Sequence, residues 1–214
     1  MSCGNLLLRR PILSFILSAA VAGHALAATP QRSIKAPPVD AISMGDPRAK
    51  LRVDEYASLS CPHCAAFNNE VFPAFKAKYI DKGRVRYTLH EFITPPEQVA
   101  VAGFMVARCA GPAKYYAVVD DLFHRQAAIY ETHDLRGPLL SAAQTAGLGE
   151  AEVTACLQNQ KGLDGLNARV KAAVDLGVAS TPTFYVNGVK VHEGDMTLEQ
   201  LDQALAAAPK LRKR

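Results

Sequence analysis

Val85, Tyr87 and Leu89 alternate with polar neighbours, and this period of two predicts a strand over 85–92. Upstream, Phe67, Val71, Phe75 and Tyr79 recur at helical spacing and predict a helix over 62–79, kinked at Pro73. Leu51–Ala57 reads as a strand ahead of that helix. Asp81-Lys82-Gly83 supplies the turn after it. Strand, helix and strand at these lengths make a βαβ unit with a parallel pair.

Pro95-Pro96 interrupts the pattern, and from 97 to about 158 the chain is helical throughout. Segments 99–109, 113–125, 135–146 and Glu150–Leu157 follow one another, the last two divided by Gly147 and Gly149. A further helix is predicted over 163–176 and closed by Gly177. Strands at Thr183–Val186 and 189–192 flank Asn187-Gly188, a type I′ hairpin signal. Thr197 caps a last helix over 198–207, with Gln200 completing a capping box. The layout is βαβ, a helical block, then αββα, with no internal repeat.

The first 27 residues read as a signal peptide. Arg9 and Arg10 form a basic start, 12–21 is an apolar run too short to anchor in a bilayer, and Ala25-Leu26-Ala27 is a cleavage site. Cys3 leaves with this segment, so four of the five cysteines remain in the mature chain, and export exposes them to oxidising conditions. The formal charge of +4 falls to about +2 without Arg9 and Arg10, which argues against a nucleic-acid partner. Residues 28–38 are a loose, proline-bearing lead-in, and 209–214 form a basic tail.

The chemistry concentrates at Cys61-Pro62-His63-Cys64, on the junction between the first strand and the helix. Two cysteines three residues apart on one helical face lie within disulfide reach. Cys61 falls at the helix N-terminus, where unpaired N–H groups and the positive end of the dipole favour a thiolate. A lowered pKa makes a cysteine both nucleophile and leaving group. Pro62 suits a first helical turn, and a protonated His63 would add positive charge beside the sulfur. A zinc site would need a second ligand pair, and Cys109 and Cys156 are single and far apart. A purely structural bridge at Cys61–Cys64 would close too short a loop to remove much chain entropy. His90, His124, His133 and His192 share no ligand spacing, so no metal is expected.

Cys61-Pro62-His63-Cys64, together with Val178-Ala179-Ser180-Thr181-Pro182-Thr183-Phe184-Tyr185-Val186-Asn187-Gly188, resembles the DsbA family of exported thiol-disulfide oxidoreductases. The resemblance covers nearly the whole mature chain. It implies an α/β, thioredoxin-like fold over 28–93 and 161–208 with a helical insertion at 94–160. It implies that Cys61 is the exposed nucleophile, Cys64 the resolving thiol, and His63 a stabiliser of the Cys61 thiolate. Thr181-Pro182 is similar to the family's cis-proline loop, which would present the Thr181 backbone to an extended substrate; the alternative is an ordinary strand-starting proline. Glu55 matches an acid that affects proton movement near Cys64, with a surface strand position as the alternative. The family's second acid, four residues after the resolving cysteine, is Asn68 here, which puts a two-acid relay in doubt. The resemblance also implies a second disulfide, Cys109–Cys156, against the alternative of two buried free thiols.

Together these expectations describe a periplasmic dithiol oxidase, monomeric and without cofactor or metal. It would act on unfolded or partly folded exported proteins and be re-oxidised by a membrane quinone-linked partner of DsbB type. The competing readings are an isomerase or reductase on the same fold, and a non-catalytic peptide-binding chaperone using the apolar surface around Pro182.

Overall fold

The computed structural model describes residues 40–209, together with Met1. The predicted signal peptide, with Cys3 and Arg9-Arg10, the lead-in at 28–38 and residues 210–214 of the basic tail lie outside the described residues. Five strands form one sheet among the described residues: β1 (Ser43–Met44), β2 (Leu51–Ala57), β3 (Val85–Glu91), β4 (Thr183–Val186) and β5 (Val189–Glu193), in the order β1-β3-β2-β4-β5. The β2–β3 pair is parallel, with Glu55 opposite Leu89, and β4 runs antiparallel to β2, with Glu55 opposite Phe184. Glu55 is therefore on the central strand of the sheet. The edge strand β1 was not anticipated; two residues are too few to carry a readable alternation.

The helix predicted over 62–79 runs to Ile80 in pieces: α1 (Pro62–Ala66), a π-helical turn (Phe67–Val71), α2 (Phe72–Phe75) and a second π-helical turn (Lys76–Ile80). Pro73 explains the first widening. Its ring crowds the preceding turn and it has no N–H to donate, so the amide of Phe72 reaches back to Phe67 O. The sequence reading placed the disturbance correctly but expected a bend, whereas the chain widens.

The helical block comprises α3 (Glu97–Cys109), α4 (Tyr115–Thr132), α5 (Arg136–Thr145) and α6 (Glu150–Leu157), followed by α7 (Gln160–Asp175). Helix α4 continues seven residues beyond the expected end at 125, to Thr132, before His133 adopts a left-handed conformation with φ 57°. Asn187 and Gly188 both have positive φ, 50° and 82°, as a type I′ turn requires. The last helix, α8 (Leu198–Ala206), carries the expected box, Thr197 Oγ1 accepting from the Gln200 amide and Gln200 Oε1 from that of Thr197.

One apolar core joins the sheet to the helical block: Val53, Phe67, Phe75 and Phe184 on one side meet Phe104, Val118 and Phe123 on the other. A buried charge cluster ties the same parts. Glu91, at the end of β3, accepts from Arg108 of α3 (Nε–Oε1 2.6 Å), from Arg169 of α7 and from the Tyr115 hydroxyl at 3.1 Å. A buried carboxylate is tolerable only with such partners.

Candidate active site

Strand β2 ends at Ala57, and the loop 58–60 delivers Cys61 to the N-cap of α1 with extended backbone angles. That loop is held from several sides. Gln126 of α4 is buried, and its Nε2 donates to Leu59 O at 2.7 Å and Cys61 O at 3.2 Å. Tyr130, one turn further along α4, donates its hydroxyl to Ser60 O. Ser60 and Ser58 are hydrogen-bonded to Thr94, on the segment leading to α3. Leu59 itself packs where Gly103 of α3 has no side chain: a Cβ there would lie 2.5 Å from Leu59 Cδ1.

Cys61 and Cys64 are both free thiols and both buried. Cys61 Sγ donates to Thr181 O at 3.3 Å, and the Thr181-Pro182 peptide is cis, so the two sequence motifs, 120 residues apart, meet at one sulfur. The surroundings move the two thiols in opposite directions. The Cys61 thiol is lowered to about 5, first by hydrogen bonding from Cys64, then by the Thr181 side chain and the backbone amides of Cys64 and His63, against the opposing effect of burial. Cys61 Sγ accepts no cap hydrogen bond at the start of α1, so the amides act as oriented dipoles at the helix end. Cys64 is raised well above its ordinary value by burial, by Cys61 and by the charge of Glu55.

The His63 imidazole pairs with Asp195. Its Nδ1 lies 2.8 Å from Asp195 Oδ1, across the exposed rim between α1 and the β5–α8 loop. The part of His63 that acts on the sulfur is its amide. Pro62 occupies the first position of α1, as expected.

Glu55 is 2% exposed, so it is not a surface strand residue. Its carboxyl is pushed up to about 8 by burial, partly offset by a hydrogen bond donated by the Tyr87 hydroxyl of β3. Asn68, at the position of the missing second acid, donates to Asp120 Oδ1 at 2.9 Å. Cys109 and Cys156 are joined to each other, with Cα atoms 5.9 Å apart, at the ends of α3 and α6. Among the described residues, no group of three or more His, Cys, Asp or Glu side chains is placed to hold a metal. Sequence reasoning missed Gln126, Tyr130, Tyr87 and Asp195. The readable signal was in α4, where Gln126 and Tyr130 are polar groups one turn apart, following the apolar Val118, Leu122 and Phe123.

Residues 38–207 match the family model described as Thioredoxin, which covers most of the chain. The chain belongs to the thioredoxin family. A Rickettsia typhi protein with the provisional name protein-disulfide oxidoreductase is 29% identical over 170 residues, spanning 77% of this chain and 60% of its own length. The chain thus spans about three-fifths of such relatives. Disulfide bond formation protein D of Bacillus subtilis is 26% identical over 163 residues, covering 73% of this chain and 70% of that one. Among solved structures, alpha-DsbA1 of Wolbachia pipientis superposes with a TM-score of 0.72 at 27% identity, over 80% of this chain and 92% of that chain. The DsbA resemblance and the α/β thioredoxin-like fold read from the two motifs therefore hold.

Proposed function

We propose that this chain is an exported dithiol oxidase that introduces disulfides into secreted or periplasmic proteins. The observation that carries the reading is the opposite displacement of two neighbouring thiols, Cys61 down and Cys64 up. A stabilised Cys61 thiolate favours the reduced enzyme, which makes the Cys61–Cys64 disulfide oxidising. A substrate thiolate attacks Cys61 Sγ. The Cys61–Cys64 bond breaks, and Cys64 leaves with the electron pair. Because its thiol is raised, it takes a proton, and Glu55, protonated below about pH 8, supplies it. A second substrate thiolate attacks the substrate sulfur of the mixed disulfide, and Cys61 departs as a stable thiolate. The substrate is oxidised by two electrons and the enzyme reduced by two.

In this reading Pro62 and the His63 amide shape the helix end, and Thr181 with Pro182 lines up an extended substrate. The enzyme is monomeric and uses no cofactor. A quinone-linked membrane oxidase of DsbB type restores the disulfide; the name of the Bacillus relative, disulfide bond formation protein D, supports disulfide formation as the activity. Equilibration of Cys61–Cys64 with glutathione is the test. A potential well above that of cytosolic reductants, with rapid oxidation of a reduced dithiol peptide, is expected. A potential near that of thioredoxin would make the protein a reductase instead. Recovery in the periplasmic fraction of a chain that has lost its first 27 residues tests export.

A further inference from the structure

Glu55 has a proton to give but no surface from which to regain it. Its carboxyl is 2% exposed on the central strand, between Leu89 and Phe184 on the flanking strands. Its hydrogen-bond partner is on the neighbouring strand β3. Tyr87, also 2% exposed, donates its hydroxyl to Glu55 Oε2. Tyr87 also lines a cavity of about 350 Å3, together with Asn68, Phe72, Leu89, Tyr116 and Asp120. Lys76 and Asp120 also line it, with side chains 44% and 55% exposed, so the cavity opens to solvent. It is large enough for water and has polar groups to hold it.

We propose that Tyr87 and this cavity form the route by which bulk solvent re-protonates Glu55 after Cys64 has taken its proton, making Tyr87 a positioning and relay residue of the exchange reaction. This rests on the oxidase reading above. In the step, the Glu55 carboxylate accepts the Tyr87 hydroxyl proton while cavity water gives one to the Tyr87 oxygen, and bulk solvent replaces that. No bond other than O–H changes and no redox partner is needed. The transfer is concerted, because burial and the nearby Glu55 charge hold the Tyr87 hydroxyl well above its ordinary value and disfavour a free tyrosinate.

The titratable groups facing Glu55 and Tyr87 are Cys61 and Cys64 from the α1 side and Tyr115 and Tyr116 from α4. Tyr116 is already committed, donating to Ile42 O at 2.8 Å and accepting from the Leu89 amide at 3.1 Å. At the mouth, Lys76 is paired with Asp81 and Asp120 with Asn68. Tyr87 is thus the residue that touches both the acid and the cavity.

The test is multiple-turnover oxidation of a saturating dithiol peptide by the full chain, with oxidised glutathione regenerating the disulfide, in water and in deuterium oxide, from pH 5 to 9. Tyr87→Phe keeps the ring and removes the hydroxyl. Ala117→Phe, at an exposed position of α4 lining the cavity, blocks the cavity and leaves the Glu55–Tyr87 bond intact. Both should slow turnover about tenfold, less than the ~10²–10⁴ expected for loss of the acid itself, with a larger solvent isotope effect. Alkylation of Cys61 should stay unchanged in both, and the pH limb should move only in Tyr87→Phe. Wild-type rates in both variants would overturn the proposal. A slow Tyr87→Phe beside a wild-type Ala117→Phe would overturn the cavity route and leave Tyr87 merely holding Glu55. If Tyr87→Phe does not fold, the exposed Ala117→Phe decides alone. A wild-type enzyme that oxidises no peptide defeats the oxidase reading rather than this route.

Discussion

Two cysteine pairs in one chain have opposite surroundings. Cys61 and Cys64 straddle the start of α1, where one sulfur meets backbone amides and Thr181 while the other is sealed in the core beside Glu55. Cys109 and Cys156 lie 47 residues apart, each in the last turn of its helix. A disulfide is as oxidising as its reduced form is stable, so the setting of the thiolate and not the bond itself separates the two pairs. The first pair is built to be opened. The second gains nothing from opening and constrains a long loop when closed.

The sharpest way to break this contrast is to remove each pair in turn. Cys61→Ser should lower the rate of peptide oxidation by at least about 10³-fold, since it removes the nucleophile. Cys109→Ala/Cys156→Ala should keep most of that rate and lose stability instead. Closing a loop of this length is worth about 3–4 kcal/mol on the chain-entropy model, hence a Tm lower by roughly 6–16 °C for a chain of this size. A double variant that melts normally but oxidises no peptide would erase the distinction between the pairs.

Redox state sharpens the contrast further. Cys61 has a folded value near 5, below its ordinary 9.0, so its thiolate stabilises the reduced fold fully above about pH 9 and loses that contribution as pH falls through 5. Reduction of Cys61–Cys64 alone should therefore raise Tm by several degrees at pH 7, more at pH 9, and little at pH 4.5. Glu55 has the opposite sign: raised from 4.5 to about 8, its burial costs stability as pH climbs between those values. It does so in both redox states, so the difference between paired melts isolates the cysteines to first approximation. An oxidised form that melts higher at pH 7 would remove the basis for a strong oxidant.

The sequence made much of this visible. Leu51–Ala57, Glu150–Leu157 and Thr183–Val186 stand where the pattern put them, and Asn187-Gly188 and Thr197 carry local chemistry that tertiary packing did not override. The active-site motif was legible because a helix end acts on its own first turn. What was not legible came from distant contacts. Gln126 and Tyr130 matter through carbonyls of residues 59–61, and nothing local to α4 says which loop it will meet. Glu91 reads as the end of a strand, and only packing brings Arg108 and Arg169 to it. Tyr87 reads as a core aromatic in an alternating strand, with its hydroxyl revealed as a partner of Glu55 only by the β2–β3 register. His63 gains a partner, Asp195, that nothing in the sequence around Cys61 announces.

That last contact supplies the smallest expected effect. The His63–Asp195 pair is well exposed, at 64% and 69% of the side chains, so solvent and salt screen it heavily. Asp195 nonetheless places a carboxylate against a ring two residues from Cys61, and it engages the His63 imidazole. Asp195→Asn removes one negative charge and frees the imidazole, and both changes favour the ionised sulfur. The pH midpoint of Cys61 alkylation should fall by a few tenths of a unit at low ionic strength, about what exposed pairs are worth, and return to the wild-type value in high salt. A midpoint that rises by more than about half a unit would mean that Asp195 holds the imidazole where its charge reaches the sulfur, and the thiolate would then owe as much to that ring as to the helix end.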